Sequence, residues 1–209
     1  MAPKLTTEFI GTFFLVFIIG LCATQGLALA PVAIGLGLMV LVYMGGHISG
    51  AHYNPAVTLA VFLRGKIDVR GALMYIVVQL AAGTLAAMTV RGITGLTFVP
   101  SPTIQTPGAI AVEALFTFLL ALVILNVATA KATAGNSYYG AAIGCTVLAA
   151  AFAGGGLSGG AFNPAVGLGP ALAQVFTGNG PPTHVWIYIV GPCLGGAAAA
   201  MVFRVQKQE

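Results

Sequence analysis

The sequence predicts an all-α, multi-pass membrane protein with six transmembrane helices and two half-helices in an inverted repeat. Of its 209 residues, 58% are hydrophobic and only 6% are charged, whereas soluble domains carry roughly a quarter charged residues. Six apolar stretches reach the length of about 20 residues that a helix needs to cross a bilayer. The peptide Asn-Pro-Ala-Val occurs twice, at 54–57 and at 163–166. A membrane bundle built from two related halves follows.

The predicted elements follow from length and from local start signals. The six spans lie at 5–24, 28–47, 71–92, 109–129, 138–156 and 184–204. Two more apolar segments, 54–63 and 163–173, are too short to span and open on Asn-Pro. Asn is a favourable N-cap and Pro suits the first helical position, so both segments are predicted half-helices. Their first residues are Pro55, Ala56, Pro164 and Ala165.

The chain is a tandem duplication with a shift near half its length. Glu8-x-x-x-Thr12-Phe13 matches Glu113-x-x-x-Thr117-Phe118, and Tyr75-Ile76-Val77 matches Tyr188-Ile189-Val190. We divide the single domain, 1–209, into a first repeat at 1–92, a connecting loop at 93–108 and a second repeat at 109–209. Each repeat holds three spans, an odd number, so the second copy lies upside down in the bilayer. Inverted repeats place a shared site near the midplane.

The basic residues predict the orientation. Lys and Arg near the ends of spans favour the cytoplasmic side. With the amino terminus inside, only Arg91 falls outside, and the cytoplasmic cations are Lys4, Arg64, Lys66, Arg70, Lys131, Arg204 and Lys207. We therefore expect a plasma or inner membrane protein with both termini in the cytoplasm.

Several classes of function are disfavoured by composition. Eight Lys and Arg in the whole chain are too few to form a dense basic face for nucleic acid. His47 and His52 have no third ligand near them in sequence, and three widely spaced cysteines fit neither a zinc site nor a disulfide framework. No Ser-His-Asp or Cys-His arrangement is evident. We expect no metal, no cofactor, no nucleic-acid partner and no enzyme activity.

The two Asn-Pro-Ala segments predict a path through the protein. Non-helical backbone at membrane depth, expected at 46–53 and 154–162, survives only where it is packed in protein or lines a water-filled path. In inverted copies the half-helices point their amino ends at each other, and each end carries about half a positive charge. A cation meets a barrier there and a neutral solute does not. Asn54 and Asn163 can also aim amide N–H donors into the path; a pure capping role is the alternative, which their recurrence disfavours.

Two carboxylates are predicted inside the membrane. An intramembrane acid suggests a function such as proton coupling. The symmetric placing of Glu8 and Glu113 favours structural support instead, in which each accepts hydrogen bonds from the irregular loop before a half-helix. Gly83, Gly195 and Gly196 read as sites of close helix contact.

These motifs resemble the major intrinsic protein family, the aquaporins and glycerol facilitators, over essentially the whole chain. The resemblance implies a right-handed bundle with a pore in each subunit of a homotetramer. It also implies an outer selectivity filter and an inner pore position at His52. The implied filter residues are Ile34, Ala151, Gly160 and Val166.

The filter departs from the family pattern, since most members carry Arg where this chain has Val166. The four positions make a ring without charge or aromatic side chain, which predicts a wide, apolar constriction for small uncharged solutes. Atypical bacterial members with this Val are found in arsenic-resistance settings, which suggests trivalent arsenic or antimony hydroxides beside glycerol-like polyols and some water. Gly167 replaces an Asp common in glycerol facilitators. The alternative functions are a water-selective channel, a secondary active transporter and a junctional structural protein.

Overall fold

The structure, a computed structural model, describes residues 1–178, 180 and 182–206. These residues form a bundle of eight helices. The helices are α1 (Ala2–Thr24), α2 (Ala30–Ser49), α3 (Pro55–Leu63), α4 (Val69–Thr94), α5 (Thr106–Ile124), α6 (Tyr139–Ser158), α7 (Pro164–Phe176) and α8 (Ile187–Gln206). A π-helical turn at Leu125–Thr129 extends α5, and a 3₁₀ turn follows at Lys131–Thr133. The described ranges contain no strand. Lys207, predicted to be cytoplasmic, lies outside them.

The predicted helices are confirmed. Six helices are long and apolar enough to cross a membrane: α1, α2, α4, α5 with its extension, α6 and α8. The segments α3 and α7 are shorter and begin at Pro55 and Pro164, directly after the two asparagines. The fold class inferred from the sequence is therefore the observed one.

The irregular segments are shorter than predicted. Helix α2 continues to Ser49 and α6 to Ser158, so residues 46–49 and 154–158 are helical. Both helices end where a glycine adopts the left-handed conformation, with φ of 90° at Gly50 and 94° at Gly159. Glycine takes this conformation without the steric cost of a Cβ, which is why it ends helices so often. The Gly-rich composition before these positions did not by itself break the helices.

The packing follows the duplication. Helix α1 packs on α4 as α5 packs on α8, and α2 packs against α6. Each half-helix contacts a spanning helix of the other repeat, α3 with α8 and α7 with α4. These crossings are close: a Cβ added at Gly83 would lie 2.7 Å from the carbonyl oxygen of Ala165, and one at Gly196 would lie 2.5 Å from that of Ala56. Glycines at both crossings let the half-helices sit deep in the bundle.

The chain between the repeats folds back over the end of α6. Helix α4 ends at Thr94 and α5 begins at Thr106. Within the connection, Thr103 donates its backbone N–H to Leu157 O at 2.9 Å and its hydroxyl to Gly156 O at 2.7 Å. Two otherwise free carbonyls at the C-terminal end of α6 are satisfied in this way.

Candidate functional site: a path between two half-helices

The two half-helices start from the same local structure. Asn54 and Asn163 have extended backbones, and the side-chain oxygen of each accepts the N–H two residues later, from Ala56 and Ala165, at 2.8 Å. Such a bond satisfies one of the free N–H groups at a helix start. Both Asn side chains are buried. The amide oxygen of each is thereby committed to capping, and only its NH₂ group is left for other partners.

Each asparagine also reaches the opposite loop. Asn54 Nδ2 donates to Phe162 O and Asn163 Nδ2 donates to Tyr53 O, both at 2.9 Å. Tyr53 and Phe162 have φ of 48°, which is unusual for residues with a Cβ. An NH₂ group has two hydrogens, so each asparagine keeps one N–H after making this bond. The amino ends of α3 and α7 meet at this point.

Glu8 supports the first loop. It lies fully buried on α1, and its two oxygens accept four hydrogen bonds. The donors are Ser49 Oγ at 2.7 Å, His52 N at 2.9 Å, Tyr53 N at 2.7 Å and Gln79 Nε2 at 2.9 Å. Four donors match the lone-pair sites of one carboxylate. The carboxylate is thus fully used in holding the backbone before α3.

Glu113 does the same for the second loop. Fully buried on α5, it accepts from Ser158 Oγ at 2.7 Å, Ala161 N at 3.0 Å and Phe162 N at 2.5 Å. A tyrosine secures each preceding helix end: Tyr75 donates to Ser49 O at 2.8 Å and Tyr188 to Ser158 O at 2.6 Å. Both repeats use one Glu, one Ser and one Tyr to hold the loop.

His52 contacts a hydrogen-bond network that favours one of its tautomers. Gln79 Nε2 donates to Glu8 and also to Thr58 Oγ1, at 3.1 Å, while the Thr58 hydroxyl donates to Asn54 O at 3.0 Å. When the Thr58 hydroxyl donates to Asn54 O, Thr58 Oγ1 is an acceptor towards His52 Nδ1, 3.1 Å away. This network favours the tautomer with the ring hydrogen on Nδ1, in which Nε2 is an acceptor. Since Thr58 and Gln79 have no hydroxyl or amide counterpart in the second repeat, this network exists in one half only.

A narrow cavity runs beside these groups. Its volume is about 50 Å³, room for about three to five water-sized positions. The structure brings the sequence-predicted site residues together along it: its wall includes Ile34, His52, Asn54, Ala151, Gly160, Asn163 and Val166. The remaining wall is mostly aliphatic, from Leu15, Ile19, Leu38, Val57, Leu120, Ile124, Ile143 and Val147.

A wider vestibule of about 760 Å³ continues this cavity. The two share His52, Ile124 and Ile143 as lining residues. The vestibule lies at the end of the bundle where α1 starts and α2 finishes, whereas Ile34 lies near the start of α2. From Ile34 to Gly46, the path follows α2 for roughly 18 Å at 1.5 Å per residue. His47 lies exposed on the last turn of α2 and lines the vestibule.

The aliphatic wall was missed by sequence reasoning. Leu15 and Ile19 on α1 correspond to Leu120 and Ile124 on α5, and each pair has the i, i+4 spacing that places residues on one helix face. The repeat and the spacing together could have found them. Polarity could not, because the same residue types also face the lipid side of these helices.

The pore-lining set offers few chemical functions. Its polar side chains are His52, Tyr53, Asn54 and Asn163, and the Tyr53 hydroxyl is turned to Leu41 O at 3.1 Å. Among the described residues, no group of three His, Cys, Asp or Glu could hold a metal ion. What remains is amide donors, one imidazole acceptor and backbone carbonyls, which can orient a hydroxylated solute.

The helical bundle holds a lined cavity between two half-helices at its centre. The chain belongs to the major intrinsic protein family, whose model matches residues 2–203. Members of this family are channels and not enzymes, so this chain is a membrane channel that acts without catalysis.

The chain is similar to curated relatives and to a solved structure over most of its length. A glycerol uptake facilitator protein-like 6 from Lactiplantibacillus plantarum is 37% identical, covering 99% of this chain and 99% of the relative. Aquaporin NIP1-4 from Oryza sativa subsp. japonica is 38% identical, covering 96% of this chain and 76% of the relative. The X-ray structure of the aquaglyceroporin from Plasmodium falciparum matches with a TM-score of 0.85 at 25% identity, covering 97% of this chain and 95% of that chain.

Proposed function

We propose that the protein is a passive channel for small uncharged solutes that is broader in selectivity than a water pore. Glycerol-like polyols and the trivalent hydroxides of arsenic and antimony are the preferred solutes, and water passes as well. The observation that carries this proposal is the composition of the cavity wall. Both asparagines lie on one continuous cavity with four ring positions that bear neither charge nor aromatic ring.

The proposed filter is the ring of Ile34, Ala151, Gly160 and Val166. Pore diameter and the polarity of the lining decide which solutes pass. Gly160 cannot readily carry a side chain, since its φ is 63° and an added Cβ would lie 2.7 Å from Gly155 Cα. Small residues at two of the four positions leave room for solutes with three hydroxyl groups. The C–H or metalloid face of such a solute can lie against the apolar wall.

The proposed central donors are Asn54 and Asn163. Each keeps one N–H after bonding to the opposite loop, and the Nε2 acceptor of His52 lies next along the path. A polyol or a metalloid hydroxide carries both donors and acceptors, so it can exchange its water partners for these groups. The amino ends of α3 and α7 together oppose a cation at this point.

We further propose the setting of the channel. Seven of the eight Lys and Arg fall on one side in the topology with cytoplasmic termini, as the positive-inside rule requires. The protein then lies in the cell membrane as a homotetramer, each subunit carrying its own pore. The repeats, divided as 1–92 and 109–209, enter the membrane in opposite senses. Cross-linking in the membrane tests the homotetramer. Protease access from each side of the membrane tests the cytoplasmic position of the termini.

The solute range is tested with purified protein in liposomes. Stopped-flow light scattering follows shrinkage in an impermeant osmolyte and re-swelling as glycerol enters, and arsenic(III) uptake is measured directly. We expect both solutes to enter much faster than in empty liposomes. Fast water exchange without glycerol or arsenic(III) entry would contradict the proposal and favour a water-selective channel.

A second uptake measurement distinguishes a passive channel from an active transporter. Inverted repeats and broken helices also occur in secondary transporters. Here both buried carboxylates are occupied by loop hydrogen bonds, which leaves them no role in ion coupling. We expect uptake that rises linearly with glycerol concentration and ignores an imposed proton or sodium gradient. Saturable, gradient-driven uptake would overturn passive conduction.

A further inference from the structure

The connection between α4 and α5, residues 95–105, covers the loop before the second half-helix and leaves the loop before the first uncovered. A Cβ added at Gly159 would lie 2.7 Å from Ser101 N. At Gly50, the matching helix end in the first repeat, an added Cβ would have only the His52 ring within 4 Å among the described residues, at 3.4 Å. Both glycines have the same left-handed conformation. The contact with the connection is therefore what makes the surroundings of the two loops different.

Thr103 holds the connection on the last turn of α6. Its backbone N–H donates to Leu157 O at 2.9 Å, and its hydroxyl donates to Gly156 O at 2.7 Å. The hydroxyl bond joins positions that are 53 residues apart in the sequence. Its acceptor lies in the turn that leads directly to Gly160, one of the four ring positions. A displacement of the connection is therefore transmitted to the backbone just before the ring.

Phe98 holds the connection at a second point, near another ring residue. Its side chain packs against the buried cluster that includes Val166. The aromatic ring also lies so close to Gly20 on α1 that a Cβ added at this glycine would overlap it. The connection is thus attached at two places, one just before Gly160 and one against the cluster of Val166.

The position of the cavity wall at Gly160 depends on the residues that pack behind it. Gly160 has no side chain, so the wall at this point of the ring is backbone. No residue of the connection belongs to the lining of the narrow cavity that the structure describes. The connection therefore lies behind the wall and can act on a solute only through the ring. Since the diameter of a pore decides which solutes pass, a change behind the wall alters selectivity while every lining side chain stays the same.

We propose that the connection holds the outer ring at its working width, with Thr103 and Phe98 as positioning residues that touch no solute. This inference rests on the proposed function, since it takes the four-residue ring as the filter. Without the hydroxyl bond of Thr103, the backbone before Gly160 is free to move away from the path, and larger solutes are admitted. A segment that only joined the two repeats would affect stability when altered and would leave size selectivity unchanged.

Ethylene glycol, glycerol and erythritol are suitable probes, because each differs from the next by one CHOH group and their chemistry is otherwise alike. Stopped-flow light scattering follows the entry of each into liposomes for the wild type, Thr103→Val and Thr103→Ser. The control is Thr89→Val, which removes a hydroxyl that bonds to Leu85 O within α4 at 2.8 Å. We expect the ratio of erythritol entry to ethylene glycol entry to rise about fivefold in Thr103→Val, the size of effect that the loss of one hydrogen bond gives. The ratio should keep its wild-type value in Thr103→Ser and in Thr89→Val.

The outcomes separate the positioning role from the channel function. An unchanged ratio in Thr103→Val, with normal entry of ethylene glycol, would overturn the positioning role and leave the channel proposal intact. An equal rise in Thr103→Ser, which keeps the hydroxyl, or in Thr89→Val would overturn it too. Absence of entry of all three polyols in the wild type would overturn both inferences. If Thr103→Val is poorly inserted, Phe98→Leu is measured in the same way, since it keeps an apolar side chain; a raised ratio supports the positioning role and an unchanged ratio contradicts it.

Discussion

Asn54 and Asn163 each hold the loop that precedes the other, through side-chain N–H bonds of 2.9 Å to Phe162 O and Tyr53 O. The amide oxygen of each simultaneously caps its own half-helix. One side-chain type thus joins the two repeats and starts both α3 and α7. No other residue type offers an acceptor and two donors on so short a stem.

Replacing either asparagine by Ala should destabilise the protein. The substitution removes a cap worth about 1 kcal/mol and a cross-loop bond worth about 1 kcal/mol. In the double variant we expect a loss smaller than the sum, because either single change already loosens the same contact. Unfolding of Asn54→Ala, Asn163→Ala and the double variant in detergent measures this coupling. Strict additivity would show that the two bonds act independently.

The glycines at the half-helix crossings should not tolerate a methyl group. In Gly83→Ala and Gly196→Ala the new Cβ would meet a backbone carbonyl at 2.7 Å and 2.5 Å. Overpacking of this kind costs about 1 to 3 kcal/mol. Gly92→Ala on α4 is the control, since a Cβ there has nothing within 4 Å. Thermal stability in detergent should fall for the first two and hold or rise for the third; equal behaviour of Gly83→Ala and Gly92→Ala would refute the close crossing.

Replacing either buried glutamate by glutamine should destabilise the protein. Glu8→Gln turns an NH₂ group towards donors that need an acceptor, and each buried group left unsatisfied costs about 1 to 3 kcal/mol. Glu8 accepts four hydrogen bonds and Glu113 accepts three. The loss of stability should therefore be larger for Glu8→Gln than for Glu113→Gln. The matched control is Asp68→Asn, a carboxylate-to-amide change at an N-cap where Asn serves equally well. The yield of folded protein and its melting temperature measure the loss of stability in each variant. If Asp68→Asn were as damaging as Glu8→Gln, the predicted role of the buried carboxylate would be contradicted.

Adding charge to the ring should narrow the range of solutes. In Val166→Arg, the new guanidinium would join the lining of the narrow cavity, which Val166 shares with Ile34 and Ala151. We expect slower glycerol and arsenic(III) entry with water flux retained. Val166→Met adds length without charge and should change the solute ratio less. Stopped-flow rates for water and glycerol in liposomes measure both effects. Unchanged solute selectivity in Val166→Arg would place the constriction elsewhere.

Much of the fold could be predicted because its signals are local. A span is a matter of apolar length, and Asn-Pro marks a helix start wherever it occurs. The duplication then indicated that the two starts meet. The ends of α2 and α6 were less predictable, since Gly154, Gly155 and Gly156 suit a membrane helix as well as a loop. The left-handed conformation at Gly50 and Gly159 decided the ends.

The environment of His52 could not be read from the chain. Its tautomer depends on Thr58 and Gln79, and through Gln79 on Glu8, residues from three different helices. None of them forms a motif with His52 in sequence. Only the packing of α4 and α1 around α3 brings them within hydrogen-bond distance.

By itself the sequence determined the number of spans, the two half-helices, the pair of asparagines between them and the absence of charge at Val166. The tertiary structure decided which apolar side chains face the path. Leu38 is 6% exposed and lines the cavity, whereas Val77 is 65% exposed on the outer surface of α4. In a soluble protein polarity would distinguish such faces. In a membrane both lipid and pore wall accept aliphatic side chains, so only the packing of the helices separates them.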